Sequence, residues 1–159
     1  MNGTAVDAAV AAALCLGVVS PHNSGLGGGL FMTVYKDGEA YAINARERAP
    51  ANVDPLAYSD DPSAAIEGKK HVFGNSPLTC EVNVKYGFTG GTAVGVPGEL
   101  AGLYEAHAMF GKVDWAKLVD LAINLADSGF NVSEDLAAAL KVHSEKIKSD
   151  AGLRYSYKL

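Results

Sequence analysis

From Thr4 the chain reads Thr-Ala-Val-Asp and then Ala, Val and Leu almost without a polar interruption as far as Val19. Thr4 has the side chain of an N-cap, and Asp7 places an acid in the first turn, where its charge suits the helix dipole, so the pattern predicts a helix. Apolar residues surround that helix on every side, which marks it as buried between other layers. A small chain rarely encloses such a helix alone, so packing partners beyond it are expected. Residues 20–29 break the helix with Pro21 and four glycines, and residues 30–36 have the β-branched and aromatic character of a strand. Lys36-Asp37-Gly38-Glu39 supplies an Asp-Gly turn, and residues 40–45 return as a second strand. Apolar side chains fall on both faces of this hairpin, Phe31, Val34, Tyr41 and Ile43 among them, which suits a sheet covered above and below.

Residues 50–92 are rich in Pro, Gly, Asn, Ser and Asp and show no sustained period, so a long excursion with at most short elements is expected there. Val96-Pro97-Gly98-Glu99 then opens a helix, with Pro97 in the first turn, that runs to about Phe110 and stops at Gly111. Asp114 caps another through Ala126, ended by Gly129, and Ser133 opens a third that fades near Ser149. The expected organisation is one incomplete domain over 1–159. It has a buried helix and hairpin in 1–50, a long loop region in 51–93 and a helical segment in 94–150.

Length and charge narrow the function classes. The chain has 159 residues and a formal net charge of −5, with no Lys/Arg stripe to neutralise a run of phosphates, so no nucleic-acid partner is expected. No window reaches the eighteen or so apolar residues of a membrane span. Two cysteines, Cys15 and Cys80, are too few for a disulfide framework and fit no zinc spacing, so no metal is expected. Asn2-Gly3-Thr4 and Asn131-Val132-Ser133 are glycosylation triplets that matter only in a secretory compartment.

Candidate chemistry is sparse. Gly25-Leu26-Gly27-Gly28-Gly29 precedes a strand rather than opening a helix, and no Gly-Lys-Ser/Thr follows, so close backbone passage explains it better than a phosphate cradle. Asn44-Ala45-Arg46-Glu47-Arg48-Ala49-Pro50 places charge at the end of an apolar strand, where scaffolds present functional groups. A guanidinium there offers a planar fork that can grip a carboxylate through two parallel hydrogen bonds; a salt bridge of Arg46 or Arg48 with Glu47 or another acid is the equal alternative. His22, His71, His107 and His143 lie far apart and show no metal spacing or nucleophile partner. Cys15 reads as a small buried hydrophobe or half of a disulfide, and Trp115 as a core anchor.

Four stretches together resemble one family. Gly3-Thr4-Ala5-Val6-Asp7-Ala8-Ala9, Ser24-Gly25-Leu26-Gly27-Gly28-Gly29-Leu30-Phe31, Asn44-Ala45-Arg46-Glu47-x-Ala49-Pro50 and Val94-x-Val96-Pro97-Gly98-Glu99 follow the order seen in the gamma-glutamyltransferases, or glutathione hydrolases. The likeness continues more weakly through Trp115 and Gly129-Phe130. It implies an α+β fold, part of the αββα sandwich of an N-terminal-nucleophile hydrolase, and the N-terminal part of a large subunit. In that family the precursor cuts itself, and the freed threonine that starts the small subunit is the nucleophile. No catalytic residue is therefore expected in this chain, which should be inactive alone. The resemblance assigns Arg46 to the α-carboxylate of the gamma-glutamyl group and Glu47 to the acidic position beside it, while Arg48 matches no binding position. It implies gamma-glutamyl compounds such as glutathione as substrates, the small subunit of the same precursor as partner, no cofactor, and a cell-surface or secretory location. In animal members the cysteine at the place of Cys15 pairs with one upstream. Two other readings stand beside this one: a cephalosporin-acylase-like amidase, against which the Asn-Ala-Arg-Glu stretch speaks, and a non-catalytic binding product or remnant.

Overall fold

The computed structural model describes residues 2–51 and 94–157, with side chains as far as Arg154. The long loop expected in 51–93, with Cys80 and His71, falls outside the described residues except for residue 51. The chain divides into two compact units, Met1–Arg46 with Pro97–Leu159, and Glu47–Val96.

In the first unit the order is α1 (Ala5–Val19), β1 (Leu30–Lys36), β2 (Glu39–Ala45), α2 (Glu99–Phe110), α3 (Trp115–Ser128), α4 (Glu134–Val142), α5 (Ser144–Ser149) and α6 (Ala151–Tyr157). A capping box starts α1: the Asp7 N–H donates to Thr4 Oγ1 at 3.2 Å and the Thr4 N–H donates to Asp7 Oδ2 at 2.7 Å. Val6, Val10 and Leu14 recur every four residues and form the buried stripe. All-round burial, expected from composition, is not what this chain provides. Ala8, Ala9 and Ala12 are exposed and Leu16 is 50 % exposed, because the packing partners described cover one side only.

The hairpin forms in the register Leu30↔Ala45 through Lys36↔Glu39. Asp37 at φ 53° and Gly38 at φ 86° both occupy the left-handed region that a two-residue turn between twisted strands demands. Met32, Val34, Tyr41 and Ile43 face the core, whereas Phe31 and Tyr35 on the other face are 72 % and 77 % exposed. One face of the sheet is thus covered within the described residues, not both.

Helix α2 begins later than the sequence suggests. Gly98, not the residue before Pro97, is its N-cap, because the N–H groups of Gly98 and Glu99 both turn to the Gly28 carbonyl at 3.0 Å. Asp114 caps α3 by accepting the Ala116 N–H at 3.0 Å, and Gly129 ends it at φ 78°. The single helix expected from Ser133 to Ser149 is broken at His143, where ψ opens to 10° and α5 starts without a side-chain cap. Residues 151–157, for which no helix was expected, form α6.

The core of this unit joins α1, α2 and α3 under the inner face of the hairpin. Val10 and Leu103 are fully buried, and the Tyr41 ring meets the Phe110 ring edge-on at 5.0 Å. Each large aliphatic side chain so buried contributes about 1.5–3 kcal/mol. That core fixes the inner face of β2 and hence where its last residue emerges.

Candidate functional site

Strand β2 ends at Ala45, and the reason is local. The Asn44 side chain points outward and its Oδ1 accepts the backbone N–H of Arg46 at 3.1 Å, a bond that replaces the ladder partner and turns the chain. Arg46, the next residue, is exposed. Its guanidinium carries five donors in a rigid plane, so a carboxylate can be held by two parallel bonds.

The inner side of this strand end is occupied by α2. A Cβ at Gly98 would collide with the Ala45 carbonyl oxygen and stand 3.1 Å from the Arg46 carbonyl oxygen, and one at Gly102 would strike the Ala45 methyl group. Only glycine fits at either position without displacement. Behind the first turn of α2 lies the glycine stretch 25–29. Gly28 supplies the carbonyl that receives Gly98 and Glu99, and a Cβ on Gly17 of α1 would be 3.2 Å from the Gly25 Cα. The close passage expected of the glycine stretch is not found at Gly25 or Gly27, where an added Cβ would meet nothing within 4 Å; the tight approach is at Gly17 of α1, and Gly28 contributes its carbonyl to the start of α2.

Glu99 is 5 % exposed, and its Oε1 has no hydrogen-bond partner among the described residues. Burial pushes its carboxyl above the ordinary value, and the Gly25 N–H, donated to it, offsets part of that rise. Asp7 is buried as well, yet the donors around it win and lower its pKa. Sequence reading placed both acids at helix starts and missed their burial. The signal available was slight: Gly98 and Gly102, four apart, mark a bare helix face that lets the start of α2 sink against its neighbours.

Glu47 opens the second unit, where it is half-buried. A Cβ on Gly95 would come within 3.1 Å of the Glu47 Cβ, and Arg48 pairs with Val96 through two backbone hydrogen bonds of 3.2 and 2.7 Å. That bridge fixes the backbone on one side of Glu47 within its unit. Arg46 belongs to the first unit and is described there.

Other candidates take structural places. The His107 Nε2 lies 2.6 Å from the Val113 carbonyl, and its ring meets Trp115 edge-on at 5.4 Å. Trp115 also packs against Tyr104 at 5.3 Å, consistent with an anchoring role. Cys15 is half-buried on α1. Among the described residues no group of three His, Cys, Asp or Glu side chains could hold a metal ion, and no helix is long and apolar enough to cross a membrane.

With this geometry in place, similarity to known proteins is informative. Residues 1–158 match a family model described as gamma-glutamyltranspeptidase. Glutathione hydrolase 2 of Arabidopsis thaliana is 41% identical over 153 residues, which cover 96% of this chain and 23% of that protein. The glutathione hydrolase proenzyme of Pseudomonas aeruginosa is 41% identical over 133 residues, covering 84% of this chain and 21% of its own length. A solved gamma-glutamyltranspeptidase from Pseudomonas nitroreducens, complexed with L-DON, superposes with a TM-score of 0.72 at 34% identity, over 96% of this chain and 40% of that one. The chain spans about a fifth of the length of these curated relatives.

Proposed function

This chain belongs to the gamma-glutamyltranspeptidase family, and on that premise we propose that it is the N-terminal part of the large subunit of an enzyme that hydrolyses glutathione and transfers its gamma-glutamyl group to amino acids, peptides or water. Its helix, hairpin and helical segment are part of the N-terminal-nucleophile hydrolase fold, an α+β architecture.

The observation that supports the reading most directly is Arg46. It is an exposed arginine fixed one residue beyond a packed strand, its backbone tied to Asn44 and its strand end backed by α2. A gamma-glutamyl donor presents a free amino-acid carboxylate, and the planar guanidinium grips it through two charge-assisted bonds. Holding the carboxylate fixes the distance to the gamma-carbonyl, which is how a binding group at one end of a substrate contributes to attack at the other. Glu47 is the acidic neighbour at this position. The attacking threonine is carried by a small subunit cut from the same precursor, and the assembled enzyme works at the cell surface or in a secretory compartment.

This division of labour is tested with the purified chain. Incubated with glutathione, the 159 residues should release no glutamate; within a complete precursor that carries them together with the rest of the large subunit and a threonine-led small subunit, the same residues should take part in turnover. Clear turnover by the chain alone contradicts the assignment.

A further inference from the structure

Three backbone segments of the first unit converge at the root of Arg46: the glycine stretch 25–29, the end of β2 and the first turn of α2. Gly98 and Gly102 stand four residues apart and share one face of α2. That face is bare, and Ala45 lies against it. A Cβ at Gly98 would collide with the Ala45 carbonyl oxygen, stand 2.9 Å from the Ala45 carbonyl carbon and 3.1 Å from the Arg46 carbonyl oxygen. Those atoms belong to the two peptide units that flank the Arg46 α-carbon. At Gly102 the added atom would strike the Ala45 Cβ and lie 3.4 Å from Leu30 Cδ1.

The helix has little freedom to retreat. The Gly98 and Glu99 N–H groups are both bound to the Gly28 carbonyl at 3.0 Å, and the buried Glu99 carboxyl receives the Gly25 N–H. Volume added on the bare face of α2 therefore goes into the strand end. A rotation of the Arg46 α-carbon is magnified at the tip of its long side chain, and two-point recognition tolerates little misplacement.

We propose, on the reading of Arg46 as the carboxylate-binding group, that Gly98 and Gly102 are positioning residues for the donor. By their lack of side chains they set the direction in which Arg46 leaves the sheet, and so the discrimination in favour of substrates that carry an α-carboxylate. They touch neither substrate nor the reacting atoms.

The test uses the complete enzyme that carries this segment and two donors with the same leaving group: a gamma-glutamyl anilide, and a 4-aminobutyryl anilide that lacks only the α-carboxylate. The ratio of their kcat/KM values isolates carboxylate recognition. Arg46→Ala should collapse the ratio. Gly98→Ala should lower it by about tenfold or more through the gamma-glutamyl donor, leaving the carboxylate-free donor little changed. Leu103→Ala, at a fully buried core position, should reduce thermal stability and leave the ratio intact, which separates positioning from loss of folded enzyme. Should Gly98→Ala fail to fold, Gly102→Ala carries the test: it should lower the ratio, and adding Ala45→Gly, which deletes the methyl group that is struck, should restore it. The proposal is overturned if Arg46→Ala collapses the ratio while the glycine variants that fold leave it unchanged. If Arg46→Ala itself leaves the ratio unchanged, the underlying reading of Arg46 fails instead, and the positioning role with it.

Discussion

Both oxygens of the Asp7 carboxylate accept the backbone N–H of Lys112, each at 3.1 Å, across 105 residues of sequence. The same carboxylate takes the Thr4 N–H at 2.7 Å, the Thr4 hydroxyl at 3.0 Å and the Val113 N–H at 3.4 Å. One acid in the first turn of α1 thereby satisfies donors at the start of that helix and in the connection between α2 and α3. The elements that carry the core are tied at one end by a single buried charge, 2 % exposed.

Asp7 makes stability sensitive to acid. Burial by itself would raise its pKa, but the N–H groups of Thr4 and Lys112, the Thr4 hydroxyl and the Val113 N–H outweigh burial and hold it below 3.8. The folded state therefore binds its proton less readily than the unfolded chain. The contribution is full above pH 3.8 and is lost as pH falls through the lower folded value. Asp7→Asn, which keeps the shape and leaves buried donors poorly matched, should cost about 1–3 kcal/mol at pH 7. Urea midpoints followed from pH 7 to pH 3 should fall less steeply for the variant; parallel curves would remove this role.

Glu99 has the opposite sign. Burial raises its pKa above 4.5 and the Gly25 N–H offsets this only in part. The folded state then holds the proton more tightly than the unfolded chain. Its contribution is fully present below pH 4.5 and is lost as pH rises through the folded value. Glu99→Gln cannot ionise, so stability relative to the parent should shift in favour of the variant between pH 4 and pH 8, whatever the constant offset from its amide. Chemical denaturation at several pH values reads the slope; a difference independent of pH would show that burial does not govern this carboxyl.

Local signals in the sequence were enough for the elements that stand on local chemistry. Thr4 and Asp7 announce the start of α1, Asp37-Gly38 announces the hairpin turn, and Asp114 and Gly129 bracket α3. What sequence did not reveal depends on contacts distant along the chain. Nothing near Asp7 points to Lys112, and nothing near Glu99 says that the turn at Gly25 covers it. The first residue of α2 shifted because Gly28 captures the N–H groups of Gly98 and Glu99, a tertiary bond. The break at His143 interrupts a stretch whose polar and apolar pattern continues without a stop signal. The exposure of Leu16, Phe31 and Tyr35 has the same origin: composition records that a face is apolar, not which other residues cover it. For the candidate site, the motif singled out Arg46 as the residue to propose, whereas the bare helix face beneath it became visible only once Gly98, Gly102 and Ala45 were placed together.

The central claim is that Arg46 holds the donor's α-carboxylate, and it is tested most directly by steady-state kinetics of Arg46→Ala in the complete enzyme on a gamma-glutamyl donor. A two-point charge-assisted contact is worth ~3 kcal/mol or more, which corresponds to a loss of about a hundredfold or more in kcat/KM, with Arg46→Lys recovering only a small part because an ammonium cannot reproduce the planar fork. Kinetics close to those of the parent for Arg46→Ala would contradict the account.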